Sequence, residues 1–202
     1  MSKSLSRPLS RRGALVAAAS LAAGVLGGKR LVPAARAQDL PGLEDLTLLP
    51  AGTRLPAISF FTPDQQSLTL AHYRGKGVVL NLWATWCGPC AAELPTLDRL
   101  AGILAKDTIV VLPVSSDAGG AATVRSFYDR SGIEHLPILL DPQGAILQAW
   151  SVPGIPVTVI FDRNGRPRGR LVGGADWGTD AAAAKVRALC GLDLGPDATV
   201  NL

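Results

Sequence analysis

Apolar positions fall into two patterns along the chain, short continuous runs typical of buried strands and runs spaced every three or four residues typical of helices. Buried strands are predicted at 78–83, 109–112, 137–140 and 157–161. Helices are predicted at 89–106 with a kink at Pro95, in a segment that ends at Gly132, at 144–150, and at 180–189 before Gly191. A turn at 162–165 and a strand at 171–172 would form a terminal hairpin. This alternation of strands and helices predicts an α/β domain.

The first 37 residues carry the pattern of an export signal. Basic side chains precede an uncharged run at 13–28, and Ala-Arg-Ala at 35–37 offers small residues at the spacing of a cleavage site. The pair Arg11 and Arg12 indicates the twin-arginine route. The uncharged run is shorter than the about 20 residues that span a bilayer, yet a thin or tilted arrangement would retain it as an anchor. Cleaved and membrane-attached forms therefore both stay open.

Charge separates this leader from the rest of the chain. Residues 1–37 hold seven of the 20 Lys and Arg residues and none of the 16 Asp and Glu residues. The remainder carries 13 basic and 16 acidic side chains, a net charge of −3, with no basic track suited to nucleic acid. We predict an export signal or anchor at 1–37, a linker that partly packs against the domain at 38–54, and a globular domain at 55–195.

Cys87 and Cys90 stand two residues apart, a spacing that suits a zinc site, a structural disulfide or a redox pair. Zinc needs four ligands, and beyond this pair the chain has only Cys190 and two isolated histidines, so no metal is expected. A disulfide that closes so short a loop would restrict the unfolded chain little. A strand predicted to end at Trp83 and a helix predicted to begin near Pro89 place Cys87 at a helix N-terminus, where a thiolate is favoured. The pattern therefore favours a redox pair in which Cys87 attacks and Cys90 resolves the mixed disulfide.

Two motifs carry a family resemblance. VVLNLWATWCGPCAAELP at 78–95, together with GIPVTVIFDRNGRP at 154–167, resembles the thioredoxin-like proteins of the TlpA and ResA type, exported bacterial thiol-disulfide proteins. The resemblance covers about 55–177 and implies a thioredoxin fold, in which a central mixed sheet is flanked by helices. An extra helix and strand around 123–140 would be the insertion found in this branch of the superfamily.

The resemblance also implies roles for residues around the cysteine pair. It predicts a cis peptide bond between Ile155 and Pro156, which would face the cysteines and expose the Ile155 backbone to a substrate peptide. Glu93 would move the proton of Cys90 if burial raises its pKa, because Asn81 stands where cytoplasmic thioredoxin has a buried aspartate. A solvated glutamate on the helix surface is the alternative. The predicted catalytic residues are Cys87, Cys90 and Glu93, and the predicted substrate contacts are Trp86, Gly88, Pro89, Ile155 and Pro156.

The Gly-Pro dipeptide between the cysteines matches reducing thioredoxins, so the resemblance implies a reductase of cysteines in exported proteins that await haem or copper. The setting would be cytochrome or cytochrome oxidase assembly in the periplasm or at the outer face of the bacterial inner membrane. Partners would be cysteine-containing exported proteins and a membrane electron donor of the thiol-disulfide type, and the Cys87–Cys90 disulfide would serve without another cofactor.

Two alternatives to a reductase stay open. One is a dithiol oxidase, which would have a more stable Cys87 thiolate. The other is a copper-binding assembly factor with both sulfurs as Cu(I) ligands, although His135 has no motif that would make it a third ligand. Cys190 shares the apolar face of the last predicted helix and is expected to be a buried, inert thiol.

Overall fold

An eight-stranded mixed sheet organises residues 40–191, the part of the chain that the computed structural model describes. The strands are β1 (Thr47–Leu48), β2 (Ser59–Phe61), β3 (Ser67–Thr69), β4 (Gly77–Trp83), β5 (Ile109–Ser115), β6 (Leu139–Leu140), β7 (Val157–Phe161) and β8 (Pro167–Val172). The helices are α1 (Gly88–Ile103), α2 (Gly120–Ser131), α3 (Ala145–Ala149) and α4 (Asp180–Cys190), with a 3-10 helix at Leu70–Tyr73. The predicted leader at 1–37 and the stretch 192–195 of the predicted domain lie outside the described residues.

The strand order is β1-β8-β7-β4-β5-β6-β2-β3. β4 lies in the middle, parallel to β5 and antiparallel to β7. All seven of its residues are buried, as expected of a strand that is covered on both faces of the sheet. Trp83 pairs with Ser115, so β4 and β5 end side by side and the segments that follow them leave the same edge of the sheet. This edge positions the functional site.

Two apolar clusters cover the two faces of the sheet. One joins α1, α2 and α4 to the face that carries Val79, Trp83 and Ile160. The other joins α3 and the β2 region to the opposite face, which carries Leu80 and Val159. Successive residues of a strand point to opposite faces, which explains the division. This architecture confirms the predicted thioredoxin fold, and α2 with β6 supplies the extra helix and strand between β5 and β7.

Several predicted boundaries differ from the structure. The first helix ends at Ile103 rather than at 106, because the chain turns back at Leu104, whose N–H already bonds within the last turn. β5 runs through Pro113 to Ser115, beyond the predicted end at 112. Of the β5 residues, only Val114 and Ser115 pair with β6, so Pro113 has a paired neighbour in β4 alone, and a missing N–H is tolerated there.

The short strands β1, β2 and β3 were not predicted. β1 lies within the segment assigned to the linker at 38–54, and its Thr47 pairs with Arg170 of β8. Leu43 and Leu46 of the same segment are buried in the core. Strands of two or three residues are too short to show a period in the sequence, so tertiary pairing alone defines them. No helix within residues 40–191 is long and apolar enough to cross a membrane.

Candidate active site

The cysteine pair lies where β4 gives way to α1. Cys87 is the N-cap residue of α1, and its sulfur accepts the N–H of Cys90 at 3.3 Å. Pro89 occupies the first turn, where a helix needs no donor from it. The two cysteines form a disulfide, with Cys87 7% exposed and Cys90 fully buried. Cys87 is therefore the sulfur that a partner can reach, and Cys90 lies behind it.

Aromatic and backbone groups surround the accessible sulfur. Trp86, directly before Cys87, is 71% exposed. The Ile155–Pro156 peptide bond is cis, as the resemblance implied, and the Ile155 carbonyl oxygen lies 3.7 Å from the Cys87 sulfur. Gly174 borders the first turn of α1, and a side chain there would meet the Pro89 carbonyl oxygen at 3.4 Å. The predicted contact residues thus gather around Cys87, with Pro156 itself buried.

Glu93 lies one turn beyond Cys90 along α1 and is fully buried, which excludes the solvated alternative. Its Oε1 accepts the Asn81 amide at 2.7 Å. Its Oε2 accepts the Ala175 N–H at 3.1 Å and the Trp177 indole N–H at 3.3 Å. Burial raises the pKa of Glu93 to about 7, against the opposing effect of these three donors. A buried carboxyl group with its pKa raised to about 7 therefore lies one helical turn from Cys90.

Three residues of this buried network were missed by the sequence reading: Thr158, Ala175 and Trp177. Asn81 also donates to the Thr158 hydroxyl at 2.9 Å, and the two residues pair directly between β4 and β7. The sequence contains one indication of this pair. Asn81 and Thr158 are the polar residues that interrupt two otherwise apolar strands. Nothing local in the sequence points to Trp177, which reaches Glu93 across 84 positions of the chain.

Cys190 and His135 lie outside the network around the cysteine pair. Cys190 is buried, its sulfur lies 3.5 Å from the Phe161 carbonyl oxygen, and burial raises its pKa to about 12. His135 contacts Asp98 through Nδ1 at 3.0 Å. Asp98 lies on α1, eight residues beyond Cys90. Within residues 40–191, no group of three or more His, Cys, Asp or Glu side chains could hold a metal ion. A surface cavity of about 440 Å³, bordered by Leu70 and Phe161, lies at the far end of β7 from Pro156.

An accessible cysteine at a helix N-terminus, a buried partner one turn on and a cis-proline opposite them define a thioredoxin-fold thiol-disulfide oxidoreductase. Comparison with known proteins agrees, because the family model described as Redoxin matches residues 50–186, and the chain belongs to that family. Thiol-disulfide oxidoreductase ResA of Geobacillus thermodenitrificans is 33% identical over 127 residues, which are 63% of this chain and 72% of that protein. ResA of Geobacillus kaustophilus is 38% identical over 104 residues, 52% of this chain and 59% of that protein.

Solved structures show the same likeness. A putative thiol:disulfide interchange protein DsbE from Chlorobium tepidum superposes with a TM-score of 0.60 at 25% identity. The match covers 71% of this chain and 99% of that one. The exposed lipoprotein thioredoxin Etrx1 from Streptococcus pneumoniae gives a TM-score of 0.54 at 28% identity, covering 66% of this chain and 99% of that one.

Proposed function

We propose that this protein is exported and reduces cysteines of other exported proteins during cytochrome or cytochrome oxidase assembly. The arrangement of Cys87, Cys90 and Glu93 is the observation that carries the proposal, because it provides an accessible nucleophile, a resolving thiol and a group that takes up a proton. The relatives named ResA and the neighbour named DsbE support the reaction type. The redox group is the disulfide itself, and the reaction needs no other cofactor.

The reaction proceeds in two exchange steps. The Cys87 thiolate attacks one sulfur of a substrate disulfide, forming a mixed disulfide while the other substrate sulfur leaves as a thiolate. Cys90 then attacks the Cys87 sulfur, which closes the Cys87–Cys90 disulfide and releases the second substrate thiolate. The substrate gains two electrons and the protein loses two, so a membrane donor with its own dithiol must restore the reduced pair.

Glu93 accepts the proton that Cys90 loses in the second step. Cys90 is buried and must lose its proton before it attacks, and Glu93 lies one helical turn away on the same helix. Two N–H donors already occupy Oε2, whereas Oε1 accepts only the Asn81 amide. Oε1 is therefore the oxygen that binds the proton. A pKa of about 7 lets the carboxyl group take and return a proton at neutral pH.

Substrate binding is proposed to use backbone contacts and the exposed aromatic ring. An extended peptide can pair with the Ile155 backbone beside Cys87, which gives affinity without a demand on sequence. Trp86, Gly88 and Pro89 form the exposed border of the site, and Trp86 would pack on the docked partner. A surface of this kind suits many cysteine-bearing proteins rather than one.

A pair of matched peptides tests the substrate class. One carries the haem-attachment pattern Cys-x-x-Cys-His as an internal disulfide, and the other carries the same sequence without the histidine. The reduced protein should reduce both, whereas a Cys87→Ser variant should reduce neither. With Cys90→Ser, the mixed disulfide through Cys87 should accumulate and be visible by mass spectrometry. Failure to reduce the haem-attachment peptide would contradict the cytochrome assembly role.

Export is tested separately in cells. The proposal places the domain in the periplasm or at the outer face of the inner membrane, with a leader that is either removed or kept as an attachment. Fractionation followed by mass determination of the mature N-terminus distinguishes the two forms. Replacement of Arg11 and Arg12 by lysine should block export if the twin-arginine route is used. A protein retained in the cytoplasm with an intact leader would contradict the proposal.

A further inference from the structure

One buried carboxylate, that of Asp117, fastens the loop that presents Cys87. Residues 84–87 connect β4 to α1, and Asp117 follows the end of β5 by two residues. Because Trp83 and Ser115 are paired neighbours, this loop and Asp117 leave the sheet at the same edge. Asp117 is only 3% exposed and has no part in the exchange steps described above.

The hydrogen bonds of Asp117 run mainly to the loop. Its Oδ2 accepts the Thr85 N–H at 2.9 Å and the Ser115 hydroxyl at 2.7 Å. Its Oδ1 accepts the Thr85 hydroxyl at 2.7 Å. Among the ion pairs of residues 40–191, none involves Asp117. A buried carboxylate without a cation is costly unless it is well hydrogen-bonded, and here two of three donors belong to the residue two positions before Cys87.

We propose that Asp117 is a positioning residue for disulfide exchange. By holding both the backbone and the hydroxyl of Thr85, it fixes the path of the chain into Cys87 and keeps the sulfur against the Cys90 N–H, 3.3 Å away. That N–H belongs to the first turn of α1, where unpaired donors and the helix dipole stabilise a thiolate. If the loop is released, the sulfur loses this contact, and less of Cys87 is present as the reactive thiolate at neutral pH.

The test compares two substitutions at one position in the full-length, reduced protein. Asp117→Ala removes the acceptors. Asp117→Asn keeps the shape, because its amide oxygen can accept from the Thr85 N–H and the Ser115 hydroxyl while its NH₂ donates to the Thr85 hydroxyl oxygen. The probe is dithiobis(nitrobenzoate), a small disulfide whose thiolate product is coloured, so that substrate docking contributes little. The rate constant is measured from about pH 5 to about pH 9, a range that covers thiolate formation.

Asp117→Ala is expected to react about tenfold more slowly than the wild type near pH 7, and the gap should narrow at high pH, where both proteins are thiolates. Asp117→Asn should stay within about threefold of the wild type, because the hydrogen-bond geometry is retained. Three outcomes overturn the proposal. In the first, Asp117→Ala has the same rate constant as the wild type at every pH. In the second, its rate constant is lower by the same factor at every pH. In the third, Asp117→Asn reacts as slowly as Asp117→Ala.

Thr85 provides a second pair of variants should Asp117→Ala fail to fold. Thr85→Val loses the hydroxyl bond and keeps the N–H bond, whereas Thr85→Ser keeps both. The valine variant should be about threefold slower than the serine variant near pH 7, with the same narrowing at high pH. Equal rates for the two would overturn the proposal. This test concerns exchange by Cys87 and is independent of the physiological substrate; an unreactive wild type would count against the activity itself.

Discussion

The buried carboxyl group of Glu93 should make the stability of this fold depend on pH. Glu93→Gln should remove most of that dependence. In the wild type, burial raises the pKa of Glu93 from 4.5 to about 7. In the unfolded chain the same group returns to its ordinary pKa, so the folded state binds the proton more tightly. Stability from this group is therefore complete below about pH 4.5, is lost as the pH rises, and is constant again above about pH 7.

The size of the effect follows from the two pKa values. A rise in the pKa from 4.5 to about 7 corresponds to about 3 kcal/mol of unfolding free energy lost across that pH interval, since each pKa unit is worth about 1.36 kcal/mol. Full burial of Glu93 means that solvent screening does not reduce this figure. Glu93→Gln has no charge to bury. Its amide can be accommodated if the Asn81 amide rotates, since Asn81 Oδ1 is buried without a hydrogen-bond partner among the described residues.

The assay is denaturant unfolding of the oxidised protein at a series of pH values, followed by circular dichroism. The disulfide keeps Cys87 and Cys90 from titrating, and His135, whose contact with Asp98 raises its pKa, is present in both proteins. The difference in unfolding free energy between wild type and Glu93→Gln isolates Glu93. It should change by about 3 kcal/mol between about pH 4.5 and pH 8, with the variant gaining at high pH. A difference constant within about 0.5 kcal/mol would refute a buried carboxyl group that titrates near neutrality.

Substitution of Asn81, alkylation of Cys190 and substitution of Trp86 give three further predictions. Asn81→Asp places a second carboxyl group where an amide now lies 2.7 Å from Glu93, so the pair should share one proton, and the loss of stability in the denaturant series should extend to higher pH. Cys190, buried and with its pKa raised to about 12, should resist alkylation in the native oxidised protein at about pH 8 and react only after unfolding; rapid native labelling would contradict its burial. Trp86→Ala should change stability by less than about 0.5 kcal/mol because the ring is 71% exposed, and should raise the KM for a protein disulfide; an unchanged KM would remove Trp86 from the docking surface.

Local pattern predicted the elements that are long and apolar. β4, β7, α1 and α4 appear within a few residues of their predicted bounds, because a buried strand needs a continuous apolar run and a helix needs a repeating apolar face. α4 also has local end signals, with Thr179 capping its start and Gly191 in the left-handed conformation at its end. β1, β2 and β3 have two or three residues each, and only their neighbours in the sheet make them strands.

The site divides in the same way between local and long-range information. Cys87, Cys90 and Glu93 lie within seven positions of one another at the start of α1. The spacing of the cysteines indicated the redox pair, and the family resemblance implied the role of Glu93. The groups that bond Glu93 come from β4 and from the segment before α4, and Thr158 of β7 in turn bonds Asn81. The group that bonds the Cys87 loop follows the end of β5. Only the sheet register brings Asn81 opposite Thr158 and Trp83 opposite Ser115. That register cannot be deduced from the local pattern of one sequence.

The reduction potential of the Cys87–Cys90 pair decides whether this protein acts as a reductase or as an oxidase. The purified protein is equilibrated with dithiothreitol or glutathione buffers of known ratio, and the fraction of reduced pair is read by alkylation and mass spectrometry. A reductase recharged by a membrane donor should give a value near that of thioredoxin, about −270 mV. A value near about −120 mV would mark a strong oxidant and contradict the reductase.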